Sequence, residues 1–274
     1  MSISQFEIQN PDGTTIFGDY QKSANQPQKS KFAIILHGFK GNHRWGFLPT
    51  LRDLFAANGY NAIAYTHSFS GYIPDSPKYD IDKFRRTTVT QQLKDLQKVI
   101  RSIKSDFETA PDITICGHSM GAAIALVYSA LHPEDNISKL VMLAPVATFD
   151  RYYTERQKEQ WRRDGFLEFY NPKVDQKMAL DLSFLVDIEQ NYEKYNPLKA
   201  AKTTKSRIFL AHGEQDLTSK ICESEILYEQ MNQNSVEFNR FSHCNHAFNW
   251  DINRNDSEPL KILCESLSLF LNRE

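Results

Sequence analysis

The sequence predicts an α/β protein built on a mostly parallel sheet whose faces are covered by helices. Two observations carry this prediction. Short apolar runs, typical of strands buried on both faces, alternate with longer segments of helical periodicity along most of the chain. The chain also has 274 residues, which is enough for one large domain or two small ones with a real core.

Eight segments have the composition of strands. The first two, FEIQ and TTIFGDY, flank a Pro-Asp-Gly turn at 11–13 that predicts a hairpin, and a polar connector follows at 21–30. The runs at 31–39 and 61–68 are continuously apolar, as in parallel strands covered on both faces. Further strands are expected at 112–118, 139–147, 207–213 and 236–242.

The segments between these strands show helical periodicity. In residues 87–105 the apolar side chains recur at spacings of three and four, which places them on one face of a helix. Residues 45–58 are similar, and Gly59 is a typical stop after the last turn. Helices are also expected at 119–131, 219–231 and 258–273.

One stretch, residues 150–202, departs from this alternation. It begins densely charged and continues as aromatic-rich segments that we interpret as helical. We therefore predict a core formed by residues 1–149 and 203–274, with a helical cap insertion at 150–202 between two strands of the same sheet.

Composition limits the classes of function. The formal net charge is −2, from 32 basic and 34 acidic residues, which gives no general attraction to nucleic acid. No apolar stretch is long enough for a membrane span, and the N-terminus lacks the pattern of a signal peptide. Four widely spaced cysteines without a C-x-x-C pair fit a reducing compartment. We expect a cytoplasmic protein, and its oligomeric state stays open.

The segment ITICGHSMGAAIALV, residues 112–126, holds the strongest chemical signal. Gly117, Ser119 and Gly121 fit G-x-S-x-G, in which a sharp strand-to-helix turn exposes a nucleophilic serine. The flanking glycines leave room where side chains would collide. The helix that follows directs backbone N–H groups toward developing negative charge.

A serine hydroxyl needs a base, and the base needs an acid that orients it. In the chain order Ser, acid, His, the acid comes from the loop after strand 207–213, where Asp216 competes with Glu214. Asp216 is favoured because the loop must first turn back at Gly213. The base comes from FSHCNHAFNW, which offers His243 and His246. This H-x-x-H pair lacks the further ligands of a zinc site.

The oxyanion hole is expected to combine two backbone N–H groups, those of Met120 and Phe39. Phe39 lies in the His-Gly-Phe-Lys-Gly loop after strand 31–39. His37 and His118 are interpreted as structural, whereas His67, at the end of another strand, is a candidate to line the pocket. Aromatic residues of the insertion are further candidates for substrate contacts, although each could equally pack the insertion onto the core: Trp161, Phe166, Phe169, Tyr170 and Phe184.

The segments HGF at 37–39, GHSMG at 117–121, HGEQD at 212–216 and HAF at 246–248 resemble the α/β-hydrolase superfamily. The closer resemblance is to serine esterases and peptidase-like hydrolases with a short helical cap, including cinnamoyl and feruloyl esterases. The resemblance covers nearly the whole chain. It implies that Asp216 is the acid, His246 the base and Ser119 the nucleophile. The sequence before the base departs from the usual glycine-rich pattern.

These observations predict a carboxylic ester hydrolase that acts through an acyl-enzyme on a small-molecule ester and needs no metal or organic cofactor. The esters expected are those of small or medium acyl acids or of aromatic acids. An amide or thioester hydrolase, or an acyltransferase, could use the same triad. A binding module that has lost turnover is a further alternative, but such a protein would be expected to lack a triad residue.

Overall fold

The computed structural model describes residues 2–23, 31–105, 111–151, 153–172, 174–254 and 256–273. Most of the predicted connector at 21–30 therefore lies outside the described residues. Ten strands are present in the described part. They are β1 (Ile3–Gln9), β2 (Thr15–Gln21), β3 (Lys31–Leu36), β4 (Asn61–Thr66), β5 (Asp112–His118), β6 (Ile137–Leu143), β7 (Phe166–Asn171), β8 (Gln176–Asp181), β9 (Arg207–Gly213) and β10 (Val236–Phe241).

Eight of these strands form one sheet in the order β1-β2-β4-β3-β5-β6-β9-β10. The pairs β1–β2 and β2–β4 are antiparallel, and the remaining pairs are parallel. This confirms the predicted mostly parallel sheet of eight strands. Because β3, β5, β6, β9 and β10 run in the same direction, the loops at their carboxyl ends meet along one edge of the sheet.

Nine helices accompany the strands in the described part. They are α1 (Leu48–Ala57), α2 (Ile81–Phe84), α3 (Val89–Ser105), α4 (Met120–Leu131), α5 (Glu155–Asp164), α6 (Leu182–Gln190), α7 (Pro197–Thr203), α8 (Ile221–Gln230) and α9 (Glu258–Leu271).

The continuous apolar runs are explained by helices on both faces of the sheet. Ile34 and Leu36 of β3 belong to a buried cluster that includes apolar residues of α3 and α4. Their neighbours Ala33 and Ile35 belong to a second cluster, which contains apolar residues of α1 and α9. Successive side chains of a strand point to opposite faces, so a strand covered on both sides has no polar face to show in its sequence.

The insertion differs from the expected helical segment. Helices α5, α6 and α7 are present, but residues 166–171 and 176–181 form an antiparallel hairpin, β7–β8. Along β7, exposed residues alternate with less exposed ones, which is the period of a strand and not of a helix. Helix α7 packs against α4 and α8 of the core. The boundaries 150–202 stay a prediction.

Candidate active site

Ser119 lies at the sharp turn between β5 and α4. Its backbone has φ 57° and ψ −122°, a conformation that side-chain-bearing residues seldom adopt. The Ser119 N–H donates to the Leu143 carbonyl of β6 at 2.8 Å, which holds the turn against the sheet. This is the strained turn that the G-x-S-x-G spacing predicts.

The two flanking glycines are required by close backbone approaches. A Cβ at Gly117 would lie 2.4 Å from the Gly121 carbonyl oxygen, and one at Gly121 would lie 2.5 Å from the His37 carbonyl oxygen. Both distances are far inside van der Waals contact with backbone atoms that cannot rotate away. Gly117 therefore lets the start of α4 lie directly against β5, and Gly121 lets it lie directly against the end of β3 and the loop that follows.

Asp216 is buried in the loop after β9. Both oxygens of its carboxylate accept hydrogen bonds. Oδ1 accepts the backbone N–H groups of Thr218 and Ser219 at 2.8 and 3.0 Å. Oδ2 lies 2.6 Å from His246 Nδ1 and 3.1 Å from His212 Nε2. The competing acid, Glu214, is exposed. The geometry thus selects Asp216 as the partner of the histidine.

The surroundings of Asp216 keep its carboxyl group ionised. Burial by itself raises the pKa of Asp216, but hydrogen bonds from His212, His246 and the Ser219 N–H outweigh burial and hold the pKa well below its ordinary value. When His246 Nδ1–H donates to this carboxylate, the proton of a neutral imidazole is on Nδ1. His246 Nε2 is then left as an acceptor, which is the form a general base needs.

His246 is held at the carboxyl edge of the sheet by the residue before Ser119. His118 Nε2 lies 2.8 Å from the His246 carbonyl oxygen, and the two imidazole rings have centroids 4.5 Å apart. The alternative base, His243, is exposed, and its Nδ1 lies 3.2 Å from the side-chain amide nitrogen of Gln215. Of the two histidines, only His246 contacts Asp216.

The remaining link of a triad would join the Ser119 hydroxyl to His246. Within 31–105, 111–151 and 174–254, the described ranges around the site, that hydroxyl has no hydrogen bond to the imidazole. Such bonds are often long in the absence of substrate and shorten in the substrate complex. The bond between Ser119 and His246 is therefore part of the proposal below.

The loop after β3 brings the expected oxyanion-hole residues to Ser119. A Cβ at Gly38 would lie 3.0 Å from the Ser119 Cβ, so the backbone of this loop lies against Ser119. Phe39 follows directly. Met120 is the first residue of α4, and its N–H therefore has no partner within the helix. Both N–H groups thus lie in segments that border Ser119.

His37 and His67 form a buried support beneath this loop. His37 Nδ1 lies 2.8 Å from the Gly38 carbonyl oxygen, and its Nε2 accepts the His67 backbone N–H at 3.2 Å. Burial, together with the adjacent His67, lowers the pKa of His37 well below its ordinary value. His67 itself is only 2% exposed. The proposed pocket-lining role of His67 is not supported by this position, because its side chain is enclosed by protein.

The aromatic residues predicted to contact substrate are placed differently from one another. Trp161 is fully buried, donates from Nε1 to the Leu180 carbonyl at 3.0 Å and stacks on Phe184, so it packs the interior of the insertion. Phe166 and Tyr170 are exposed on β7. Phe169 lies next to the predicted oxyanion loop, with its ring centroid 5.8 Å from that of Phe39.

Two residues of the site were not assigned from the sequence. His212 is fully buried and contacts Asp216, Ser219 and Ser224 at once. Its position four residues before Asp216, on the same strand end, is the signal that could have identified it. Lys40 follows Phe39 and lies over two aromatic rings. No signal in the sequence predicts that position of Lys40.

A metal site is not indicated by the H-x-x-H spacing, because the two imidazoles face different partners. Elsewhere in the described part, the ligating atoms of His132, Glu134 and Asp135 lie within 4.8 Å of one another. Asp135 already contacts the ammonium group of Lys104 and the hydroxyl of Tyr128. Among the helices described, none combines the length and the apolar composition needed to cross a bilayer.

Comparisons with known proteins agree with this architecture. Residues 27–197 match the sequence profile of a family described as serine aminopeptidase, S33. The protein YqkD of Bacillus subtilis (strain 168), itself described as uncharacterized, is 25% identical over 236 residues, which are 84% of this chain and 68% of YqkD.

Two solved structures show the same fold over nearly their whole length. Est1E from Butyrivibrio proteoclasticus, solved with ferulic acid, has a TM-score of 0.72 and 16% identity, with 97% of each chain covered. Mouse alpha/beta hydrolase domain-containing protein 10 has a TM-score of 0.71 and 15% identity, with 98% of each chain covered. At such identities the likeness concerns the fold and not the substrate.

Proposed function

Because the chain belongs to the serine aminopeptidase S33 family and has the α/β-hydrolase fold, we propose that it is a serine hydrolase that cleaves carboxylic esters. The observation that carries the proposal is the 2.6 Å contact between His246 Nδ1 and Asp216 Oδ2, together with the 2.8 Å contact that joins His246 to His118, the residue before the strained Ser119. The esters proposed are those of small or medium acyl acids or of aromatic acids, and the ferulic acid bound to the similar Est1E supports the aromatic case.

In the proposed reaction, the Ser119 hydroxyl attacks the ester carbonyl while His246 Nε2 accepts its proton. The N–H groups of Phe39 and Met120 stabilise the oxyanion. Asp216 orients the imidazole and stabilises its charged form. His246 then protonates the leaving alcohol, which releases it and leaves an acyl group on Ser119. A water molecule, deprotonated by His246, hydrolyses that acyl-enzyme and restores the serine.

The family description points to peptide bonds as an alternative. An aminopeptidase needs an acceptor for the positively charged amino terminus of its substrate. Lys40, a cation that would repel that amino terminus, lies beside the proposed oxyanion loop over the rings of Phe39 and Phe169. This observation favours ester over aminopeptidase chemistry. Thioester hydrolysis and acyl transfer use the same residues and are separated by the substrate tests below.

We further propose a cytoplasmic location for the protein. All four cysteines lie within the described residues and none forms a disulfide. Cys222 is exposed, which fits a reducing compartment.

Hydrolysis of p-nitrophenyl esters from acetate to longer chains, together with methyl ferulate, tests the proposal. We expect wild-type turnover of at least one ester and a loss of roughly a thousandfold or more in kcat/KM for Ser119→Ala. An alanyl p-nitroanilide and an acyl thioester run beside them identify the rivals. The proposal is overturned if the anilide is the better substrate, or if Ser119→Ala retains wild-type activity on the esters.

A further inference from the structure

Lys40 occupies an unusual position between the core and the insertion. Its side chain extends from the loop that carries Phe39, and its ammonium nitrogen lies 5.8 Å from the centroid of the Phe39 ring. The same nitrogen lies 5.4 Å from the centroid of Phe169 on β7. Lys40 thus places a positive charge where the proposed oxyanion loop meets the hairpin of the insertion.

The backbone of Lys40 is fixed in a conformation that does not favour lysine. Its φ is +61°, in the left-handed region where glycine and asparagine are more readily accommodated. The Tyr79 hydroxyl donates to the Lys40 carbonyl at 3.0 Å, and the Gly41 N–H donates to the Gly38 carbonyl at 3.0 Å. Because the turn itself would suit a smaller residue, the lysine side chain needs another explanation.

A further hydrogen bond of Tyr79 joins this loop to the insertion. The backbone N–H of Tyr79 donates to the side-chain oxygen of Gln176, the first residue of β8, at 2.9 Å. Tyr79 therefore contacts Lys40 through its hydroxyl and the insertion hairpin through its backbone. Tyr79 thus fixes the loop of Lys40 relative to the hairpin that carries Phe169.

The ammonium group of Lys40 has no acidic partner in the described part of the chain, where no carboxylate oxygen lies within 4.0 Å of it. Partial burial removes some of the hydration of this group and lowers the pKa of Lys40. Several other partly buried cations are paired, Lys104 with Asp135, Lys158 with Asp150 and Arg85 with Asp181, whereas Lys139, whose pKa burial also lowers, is not paired with any of the described residues.

Phe39 and Phe169, the two rings beneath Lys40, form an apolar wall next to the predicted oxyanion loop, and the buried Phe84 and Phe184 support it from within. Phe39 contacts Phe84, Phe169 and Phe184, with centroid separations of 5.4, 5.8 and 6.5 Å. Aromatic faces attract a cation but leave its hydrogen-bond donors unused. A ligand that lies along this wall and ends in an anion would use both the wall and those donors.

We propose that Lys40 is a specificity-determining residue that binds an ionised carboxylate on the substrate. The proposal rests on the proposed ester hydrolase function. It names the substrate class as esters whose apolar portion ends in a second, free carboxylate group. The ester carbonyl lies at Ser119, the apolar portion lies against Phe39 and Phe169, and the carboxylate accepts hydrogen bonds from the Lys40 ammonium.

Two esters matched in length test this proposal. Monomethyl adipate ends in a carboxylate, and methyl hexanoate ends in a methyl group at the same position. We expect wild type to prefer monomethyl adipate in kcat/KM, mainly through a lower KM. The ratio of the two kcat/KM values should fall at least tenfold in Lys40→Met and stay within about threefold of wild type in Lys40→Arg, which keeps the charge.

Lys31→Met is the matched control, because Lys31 also lies over an aromatic ring, that of Tyr60, but at the amino end of β3. Its ratio should equal that of wild type. Thermal unfolding of each variant shows whether the fold is intact. An unchanged ratio in a folded Lys40→Met protein overturns the role of Lys40.

Calorimetric titration of Ser119→Ala with the same two esters separates this proposal from the catalytic one. Tighter binding of monomethyl adipate than of methyl hexanoate, lost in the Ser119→Ala, Lys40→Met double variant, supports Lys40 even if wild type hydrolyses neither ester. Turnover of esters without any preference for the charged one rejects Lys40 and leaves the hydrolase proposal intact. Absence of charge-selective binding to Ser119→Ala also rejects it.

Discussion

Replacement of His246 by alanine is expected to lower kcat/KM for a p-nitrophenyl ester by roughly a thousandfold or more. The reason is the placement of this imidazole, whose Nδ1 lies 2.6 Å from Asp216 Oδ2. With Nδ1 occupied, Nε2 is free to take the Ser119 proton. No other group in the proposed reaction performs that transfer.

His243→Ala is the matched control for this experiment, because the two histidines stand three residues apart in the same loop. His243 contacts Gln215 and is exposed, so its removal should change kcat/KM by less than about threefold. Equal losses in the two variants, or a larger loss in His243→Ala, would show that the base has been misassigned.

The loss in His246→Ala should not come from unfolding. Asp216 would still accept hydrogen bonds from His212 and from the backbone N–H groups of Thr218 and Ser219. The buried carboxylate therefore keeps partners without His246. Circular dichroism and thermal unfolding of the variant should resemble those of wild type.

Gly121→Ala is expected to damage both activity and stability. The added Cβ would lie 2.5 Å from the His37 carbonyl oxygen and 2.9 Å from that of Leu36, so either α4 or the oxyanion loop must move. Such overpacking lowers the free energy of unfolding by about 1–3 kcal/mol. Displacement of the Phe39 N–H from the oxyanion should lower kcat by roughly a hundredfold.

Gly13→Ala is the comparison for this effect. Gly13 has φ +81° and an added Cβ would meet no atom within 4 Å, so only backbone strain is expected there. That strain costs about 1–2 kcal/mol in stability and should leave kcat unchanged. Urea unfolding and ester hydrolysis measure the two quantities. Wild-type kcat in Gly121→Ala would contradict the close approach described between the start of α4 and the proposed oxyanion loop.

The sheet could be predicted from the sequence because burial on both faces leaves a strong local signal. In β3 the residues alternate between two apolar clusters, and the run is therefore apolar throughout. The order of Ser119, Asp216 and His246 along the chain could be predicted for a related reason. Each follows a strand that runs in the same direction, so all three reach the same edge of the sheet.

The hairpin of the insertion could not be recognised in the same way. Both strands of β7–β8 are short, and apolar residues such as Phe166 and Tyr170 are exposed on the side that alternation would assign to polar residues. Aromatic residues on both faces hide the period of two. In the sequence these aromatic residues resemble a helical pattern, whereas pairing of β7 with β8 decides the structure.

The contacts of Lys40 and His212 could not be predicted from the sequence, because both depend on how the chain folds. The Lys40 ammonium lies over the ring of Phe169, which is 129 positions away in the chain. The two residues meet only when the insertion folds over the core. His212 forms part of a motif visible in the sequence. Its contact with the same carboxylate oxygen that His246 uses is a property of the folded loop.

The central claim, that Ser119 is an activated nucleophile, is tested most directly by labelling the protein with a fluorophosphonate and locating the adduct by peptide mass spectrometry. We expect one adduct on Ser119 in wild type, none in Ser119→Ala and strongly slowed labelling in His246→Ala. An adduct on a different residue, or an unlabelled wild-type protein that is folded, would contradict it.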